Sequence, residues 1–521
     1  MTNPSTLYRG GVLHCPADPS ATALLVSGGR ITWLGTDGDA PPADRVVDLD
    51  GALVTPAFVD AHVHATDTGL ALSGLDVAGV RTAAQLLDAV AGFAAGLPAD
   101  AVVLGHGWDE SSWSDPTVPD AAAVGRAAGG RRVYLSQASL HSAVVSSALL
   151  AACPEVVGAV GYDASGWLRR DAHHVVRAAA QGSVSRAQRV AAQRVALSHA
   201  ASLGIAAVHE CGGPEISDEE DFTGLLGISG AGLPEVYGYW GELGGAARAR
   251  ELGAVGAGGD LFADGALGAR TAHVSQAYGD GDGCGHGYLT AEQVRDHLLD
   301  CAAHGLQGGF HAIGDAAIGT VLDGFAGAAR TLGVERLRAA RHRIEHAEIM
   351  NKRLIAGFVE YGVVASMQPA FDRLWGGAGR MYESRLGLDR SLESNPMGAM
   401  HSVGVALAFG SDSPVTPLDP WGSVRAAAAH HNPAQRMSVR AAFAAHTRGG
   451  WRAVHLDVEG VLALGAPATF AVWSTPAGVD RGLPVLLAED PEVRGPEDPT
   501  PLPVCRRLVL RGEVIYEEGS S

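Results

Sequence analysis

Apolar and polar positions follow two different rhythms along this chain. Near the N-terminus the apolar run Leu24-Leu25-Val26 and the run from Ile31 to Leu34 flank Gly28-Gly29. A glycine pair supplies the positive φ angles of a tight turn, so this stretch predicts a β-hairpin. Residues 468–473, 507–510 and 514–516 repeat the pattern near the C-terminus, the last two runs separated by Arg511-Gly512-Glu513. Each end is too small to bury a core by itself. A composite β-sandwich of residues 1–53 and 455–521 solves this, because two half-sheets packed face to face hide each other's apolar side.

Between the ends, short apolar runs stop repeatedly at polar or histidine residues: 53–64, 204–210, 234–240, 259–264, 306–311, 343–346, 363–368 and 405–412. Ala-rich helical stretches such as 190–203 separate most of them, and Gly204 stands where a helix C-cap is expected. Strand alternating with helix in this way predicts an α/β fold, a (β/α)8 TIM barrel over residues 54–454, with chemistry at the carboxyl ends of the strands. The stretch between the first two runs is too long for one crossover and holds its own strand candidates, 101–104 and 132–136. An inserted α/β subdomain at about 70–200, over the barrel mouth, is the expectation.

Composition narrows the class. The chain has 521 residues, 47% hydrophobic and 18% charged, with 70 glycines and 26 prolines, which suits a large, loop-rich globular enzyme. Its formal net charge is −19, and no Lys/Arg cluster offers a phosphate-neutralising stripe, so no nucleic-acid partner is expected. The six cysteines form no C-x-x-C pair, which argues against a disulfide framework or a thiolate zinc site and fits a reducing cytoplasm. No signal peptide and no unbroken apolar span of about 20 residues is found, so a soluble, cytoplasmic protein without a membrane partner is expected.

The candidate chemistry begins at Asp60-Ala61-His62-Val63-His64. Side chains on a strand alternate, so His62 and His64 face the same side, and at a barrel strand end two imidazoles can grip one metal ion. Three other runs finish in ligand-type residues, at His311, at Glu345-His346 and at Asp412. Unpaired polar groups inside a barrel are costly, which makes a shared metal the economical explanation.

With the stretches TPAFVDAHVH, GHGWDE, LHSAVVSSAL, GIAAVHE, LFADGALGART, FHAIGDAAI, RIEHAEI, SMQPAF and AFGSDSPV, the chain resembles the amidohydrolase superfamily. Within it, the branch that includes N-substituted formamide deformylases is the most similar. The resemblance implies a metal-dependent hydrolase whose ligand pattern falls on His62, His64, His311, His346 and Asp412. Relatives of this branch often carry a lysine four residues before the Asp-Gly of the LFADGALG motif, and its carboxylated amine bridges two metals. Here that position is Asp260, and Lys352, in a helical stretch, is the only lysine in the chain.

Asp260 is much shorter than a carboxylated lysine, so it is not expected to reach two ions. Glu210 is the other candidate carboxylate, with a helix N-terminal or surface acid as its plain alternative. The expected centre is therefore one tightly held divalent ion, most simply zinc, on His62, His64, His311 and Asp412, with any second ion weak. His346 would then hydrogen-bond the water or substrate. Asp412 would act as general base and acid in hydrolysis of a non-peptide amide- or formamide-type C–N bond of a small-molecule substrate. Alternatives are a mononuclear deaminase of an aminated heterocycle, weakened by Asp315 where such enzymes place a glutamate, and a non-catalytic barrel. His141, Trp108 and Arg270 are the substrate-binding candidates, against structural roles for each. A homodimer is the base-rate expectation for such an enzyme.

Overall fold

Pro56 has no backbone N–H, so the ladder that begins at Leu53 cannot run on through it. The apolar run 53–64, expected as one strand, is accordingly split between two sheets. In the computed structural model, which describes residues 4–138, 142–490, 493–495 and 497–519, strand Leu53–Pro56 pairs antiparallel with Phe470–Ser474, while β1 (Phe58–Val63) enters the barrel.

The remaining barrel strands are β2 (Ile205–Gly212), β3 (Glu235–Trp240), β4 (Gly256–Ala257), β5 (Gln307–Ala312), β6 (Arg343–His346), β7 (Val364–Met367) and β8 (Ala406–Phe409). All pair in parallel and in sequence order from β1 to β8 within one eight-stranded sheet, and a parallel bridge between Val63 and Ser413 links the two edge strands. Helices fill most crossovers, for example Ala291–His304 and Asp315–Leu332 around β5. The fourth strand departs from expectation. It ends two residues before Gly259, where the run 259–264 was to begin, because Gly258 and Gly259 take φ of +145° and +79° and turn the chain out of the ladder.

A four-stranded sheet (Ser5–Arg9, Ala23–Ser27, Arg30–Gly35, Arg45–Asp48) and a five-stranded sheet containing Leu53–Pro56, Phe470–Ser474 and Val504–Leu510 share an apolar core around Tyr8, Leu24, Ile31, Phe470 and Val509. The hairpin turn is at Gly28-Gly29, with φ of +56° and +76°. These sheets and the barrel belong to one compact unit, residues 1–65 and 197–521. Residues 66–196 form a second unit, whose five-stranded sheet is built on Val103–Trp108 and Val133–Gln137. Among the described residues no helix is long and apolar enough to cross a membrane.

Barrel and sandwich sheet are joined by aromatic packing. Trp473 meets Phe58 at 5.7 Å and Trp421 at 5.3 Å between ring centroids, and its Nε1–H donates to Thr55 Oγ1 at 2.9 Å. Gly204, just beyond helix Arg186–Ser202, lies against the same indole with φ of +74°; a Cβ there would stand 2.3 Å from the ring. Gly305 has a similar φ of +68° but open space around it. Gly305→Ala should therefore cost only the left-handed backbone penalty, about 1–2 kcal/mol. Gly204→Ala should cost about 1–3 kcal/mol more through overpacking. Urea unfolding midpoints compare the two, and equal losses would show that the Trp473 contact is not tight.

Candidate metal centre

Strand alternation puts His62 and His64 on the barrel interior at the end of β1, and each ring has its Nδ1 committed. His62 Nδ1 lies 2.9 Å from Glu345 Oε2, and His64 Nδ1 lies 3.0 Å from the carbonyl oxygen of Cys211. An oxygen acceptor at Nδ1 fixes the proton there and leaves Nε2 with its lone pair facing the axis. Both Nε2 atoms then meet the same two carboxylates: Asp412 Oδ1 at 3.4 and 3.2 Å, and Asp260 Oδ2 at 3.3 and 3.2 Å.

The other oxygen of Asp260 faces a second pair of imidazoles. Its Oδ1 is 3.4 Å from His311 Nδ1 and 3.5 Å from His346 Nε2. His346 Nδ1 is 2.9 Å from Gln368 Oε1, and His311 Nε2 is 3.3 Å from the carbonyl oxygen of Gly265. Two donor groups result, His62, His64, Asp260 and Asp412 in one and Asp260, His311 and His346 in the other. Asp260 is common to both.

This corrects the expectation that Asp260 is too short to serve two ions. Its reach comes from the backbone. A Cβ on Gly258 would stand 2.2 Å from Gly309 N, and one on Gly309 would stand 2.6 Å from Gly259 N, so a side chain at either position would displace the segment that leads into Asp260. The expected grouping of His311 with His62, His64 and Asp412 is corrected too: His311 lies across Asp260 from them. His346 commits its Nδ1 to Gln368 and turns its Nε2 toward Asp260, which places it in the second donor group, whereas a hydrogen bond to water or substrate was its expected role in a one-ion centre.

His346 and Asp412 reach the axis by left-handed backbone, with φ of +71° and +57°. Such conformations are costly for non-glycine residues and mark sites where the surroundings enforce them. Asp412 is pinned by its N–H, which donates to the carbonyl of His62 at 2.8 Å. Asp264 holds the loop after β4 in place: its carboxylate accepts the backbone N–H groups of His273, Ile313 and Gly314 at 2.8–2.9 Å.

Beneath the histidines lies a charge network that the sequence reading did not assign. Arg343 and Glu345 are both fully buried on β6 and paired with each other. Arg343 also donates to Ser366 Oγ at 2.9 Å, to the carbonyl of Ala61 and to His209 Nδ1 at 3.0 Å, and its guanidinium lies 4.3 Å from the centre of the Tyr239 ring. Burial works against ionised Glu345, but Arg343, helped by His62, outweighs it and holds the carboxyl well below the usual range. Burial, reinforced by Arg343, keeps His209 neutral. The available sequence signal was the i, i+2 spacing of two charged residues on a strand predicted to be buried. Gln368, at the end of the seventh expected run, and Glu348 were also missed; burial pushes the Glu348 carboxyl up to about 7.

The residues fit a cation. His62 Nε2, in the first donor group, and Asp260 Oδ1 and His311 Nδ1, in the second, are buried without a hydrogen-bond partner. Burial opposes charge on His62, yet Cys211, Asp260 and Asp412 raise its pKa well above 6.5; burial likewise opposes His64, whose hydrogen bonds to Asp260 and Asp412 raise it. Burial would lift Asp260, but His62, His311 and His346 hold it far below the usual carboxylate range. The field of these carboxylates thus favours positive charge at the axis, which a divalent ion supplies as well as protons do.

Three other expected residues, Glu210, Arg270 and Trp108, stand elsewhere. Glu210 faces away from the axis because His209 and Cys211 face inward, and its Oε2 accepts the N–H of Ala65 at 2.8 Å, so it is a helix-terminal acid and not a ligand. Arg270 is 45% exposed and forms a two-pronged ion pair with Asp280 at 2.9 Å, which uses up the fork it needed for a substrate carboxylate. Trp108 is completely buried and belongs to the core of the second unit, its Nε1–H on the carbonyl of Leu135 at 2.9 Å. His141 lies outside the described residues.

Comparison with known proteins identifies the family and the fold. Residues 45–516 match the amidohydrolase family. The Bacillus subtilis protein YtcJ is 24% identical over 98% of this chain and 99% of its own. N-substituted formamide deformylase of Arthrobacter pascens is 30% identical over 136 residues, 25% of each chain. An uncharacterized metal-dependent hydrolase from Pyrococcus furiosus superposes with a TM-score of 0.74, at 24% identity over 90% of this chain and 98% of that one.

If Glu345 orients His62, then Glu345→Gln should lower metal affinity about 10- to 100-fold. It should also destabilise the protein by about 3–5 kcal/mol, because Arg343 is left as an unpaired buried charge. Adding Arg343→Met removes that charge and should recover much of the stability while leaving metal affinity low. Competition against a chelating dye, alongside urea unfolding, separates the two effects. Full metal affinity in the double variant would refute the orienting role.

Proposed function

The chain belongs to the amidohydrolase family, and from that premise we propose that it hydrolyses a non-peptide amide- or formamide-type C–N bond of a small molecule, with His62, His64, Asp260, His311, His346 and Asp412 as the residues that would hold divalent metal. It is a hydrolase acting on carbon–nitrogen bonds, with candidate metal-ligand groups at the barrel mouth. The observation that carries the finer reading is the position of Asp260 between two donor groups, each of its oxygens facing a pair of imidazole nitrogens. Nitrogen and oxygen donors without a thiolate in either group suit zinc. The partial similarity to a formamide deformylase favours a formamide-type substrate.

His62, His64, Asp412 and one oxygen of Asp260 would hold one ion; His311, His346 and the other oxygen would hold the second. When bound, such ions polarise the scissile carbonyl and lower the pKa of a coordinated water to about 7. Asp412 is the general base: its carboxylate stands at the edge of the His62–His64 pair, where it can take the proton from the attacking water. As the C–N bond breaks, Asp412 returns that proton to the leaving nitrogen, so that the amine departs neutral and the acyl group leaves as the acid. Gln368 and Glu345 keep His346 and His62 in the tautomers that leave their Nε2 atoms free for metal.

Elemental analysis after dialysis should find two equivalents of metal per chain in the unaltered protein. Asp260→Asn should hold one at most, because the amide carries no charge to share between two cations. Asp412→Asn should keep metal but lose about 10²- to 10⁴-fold in kcat toward the amide it hydrolyses best, in a screen of N-formyl amines, acyl amides, lactams and aminated heterocycles. A single equivalent that Asp260→Asn leaves unchanged would refute the bridge. Preferential release of ammonia from a heterocycle would refute the amide reading.

A further inference from the structure

Three of the four imidazoles at the axis are held alike. His62, His64 and His346 turn Nε2 inward, and each gives its outer Nδ1 an oxygen acceptor at 2.9–3.0 Å: Glu345 Oε2, the carbonyl of Cys211 and Gln368 Oε1. His311 is reversed. Its Nδ1 faces Asp260 Oδ1 at 3.4 Å, and its outer Nε2 has the loop carbonyl of Gly265 as acceptor, at 3.3 Å. A bond that long is weak, yet the outer nitrogen has to carry the proton if Nδ1 is to present a lone pair to a cation. A second group has to hold that side of the ring.

Asp264, the residue before Gly265, stands there. It is fully buried, and its Oδ1 lies 3.8 Å from His311 Nε2. Backbone pairing fixes this distance from both directions. Ahead of Asp264, the N–H of His311 donates to the carbonyl of Leu261 at 3.0 Å, and that of Ala263 donates to the carbonyl of His311 at 2.8 Å. Beyond His311, the N–H groups of Ile313 and Gly314 donate to Asp264 Oδ1 and Oδ2 at 2.9 and 2.8 Å, and the N–H of His273 joins them on Oδ2 at 2.8 Å. The carboxylate is thus fixed relative to the ring. Asp260 draws positive charge toward Nδ1, and Asp264 sets a second negative charge on the opposite edge of the same imidazole, at a similar distance and so with similar strength.

Resting on the two donor groups read above, we infer that Asp264 is a positioning residue for the second of them: it holds the outer Nε2 of His311 as the N–H side, which leaves Nδ1 free to ligate beside His346 and Asp260. It touches neither ion nor substrate. Its effect on metal runs through one imidazole, so it governs the second ion and leaves the first, on His62, His64 and Asp412, as it is. A carboxylate that merely ordered the loop would have no such selectivity. Asp315 provides the comparison: it latches the same loop two residues beyond His273, accepting the N–H of Ser275 at 2.8 Å and the Ser275 hydroxyl, and neither of these contacts involves an imidazole.

The test uses zinc-loaded protein with isotopic nitrogen in its histidines only, the His311 ring signals being those lost in His311→Gln. In the unaltered protein these signals should show a proton on Nε2 and none on Nδ1; a proton on Nδ1 overturns the inference at once, whether or not any variant folds. Asp264→Asn, of the same shape without the charge, should abolish that fixed Nε2–H signal. Competition against a chelating dye should then show one equivalent of zinc bound about 10- to 100-fold more weakly, with the other unchanged. Asp315→Asn should alter neither readout. No weakening in Asp264→Asn, equal weakening of both equivalents, or the same weakening in Asp315→Asn would each overturn the role of Asp264. If the unaltered protein holds a single equivalent, the reading of two ions falls, and the histidine spectrum still decides for Asp264: an Nε2–H that Asp264→Asn abolishes keeps the inference, and one that it leaves intact refutes it.

Discussion

A single carboxylate at the barrel axis organises the rest of this molecule's chemistry. Asp260 lies within 3.5 Å of imidazole nitrogens from β1, from β5 and from the end of β6. Without it, His62 and His64 would keep only Asp412 to oppose any positive charge they held, and His311 and His346 would lose the carboxylate oxygen they face. With it, each oxygen offers negative charge to a separate pair of rings. The constraint behind this is steric: glycine at 258 and 309 leaves room for the backbone that leads into Asp260, where a Cβ at either position would meet the facing segment at 2.2 and 2.6 Å.

The axis is supported from below by a second charge system of the opposite kind. Glu345 takes the Nδ1–H of His62, and Arg343 neutralises Glu345 while anchoring to β1, β2 and β7 through Ala61, His209 and Ser366. Buried ion pairs contribute little net stability when compared with apolar packing, but they cost heavily when one partner is missing. Their value here is orientation. A histidine whose Nδ1 is committed has one lone pair left, and the strand sets the direction in which that lone pair points.

The scaffold matches this division of labour. The ends of β1 and β2 remote from the centre lean on the sandwich through Phe58, Gly204 and Trp473, contacts that are apolar and tightly packed. At the opposite ends stand the left-handed residues His346 and Asp412 and the loop latch Asp264. Rigid packing at one end is what allows unfavourable backbone to persist at the other.

Local periodicity determined much of what this protein is. Runs of apolar residues ending in His62, His64, His311 and Asp412 are enough to predict parallel strands with ligands at their carboxyl ends, because a strand's alternation depends only on neighbouring residues. The chemistry of those ligand types followed from the same pattern. What sequence could not supply was anything set by contact between segments far apart in the chain. Parity alone turns His346 away from Glu345's side, and only its left-handed φ brings it inward. Glu210 and Arg270 looked free for function until the Ala65 N–H and Asp280 were found to hold them. Above all, the depth of Asp260 depends on two glycine backbones meeting across β4 and β5, and a one-dimensional pattern records which residues are small but not which of them touch.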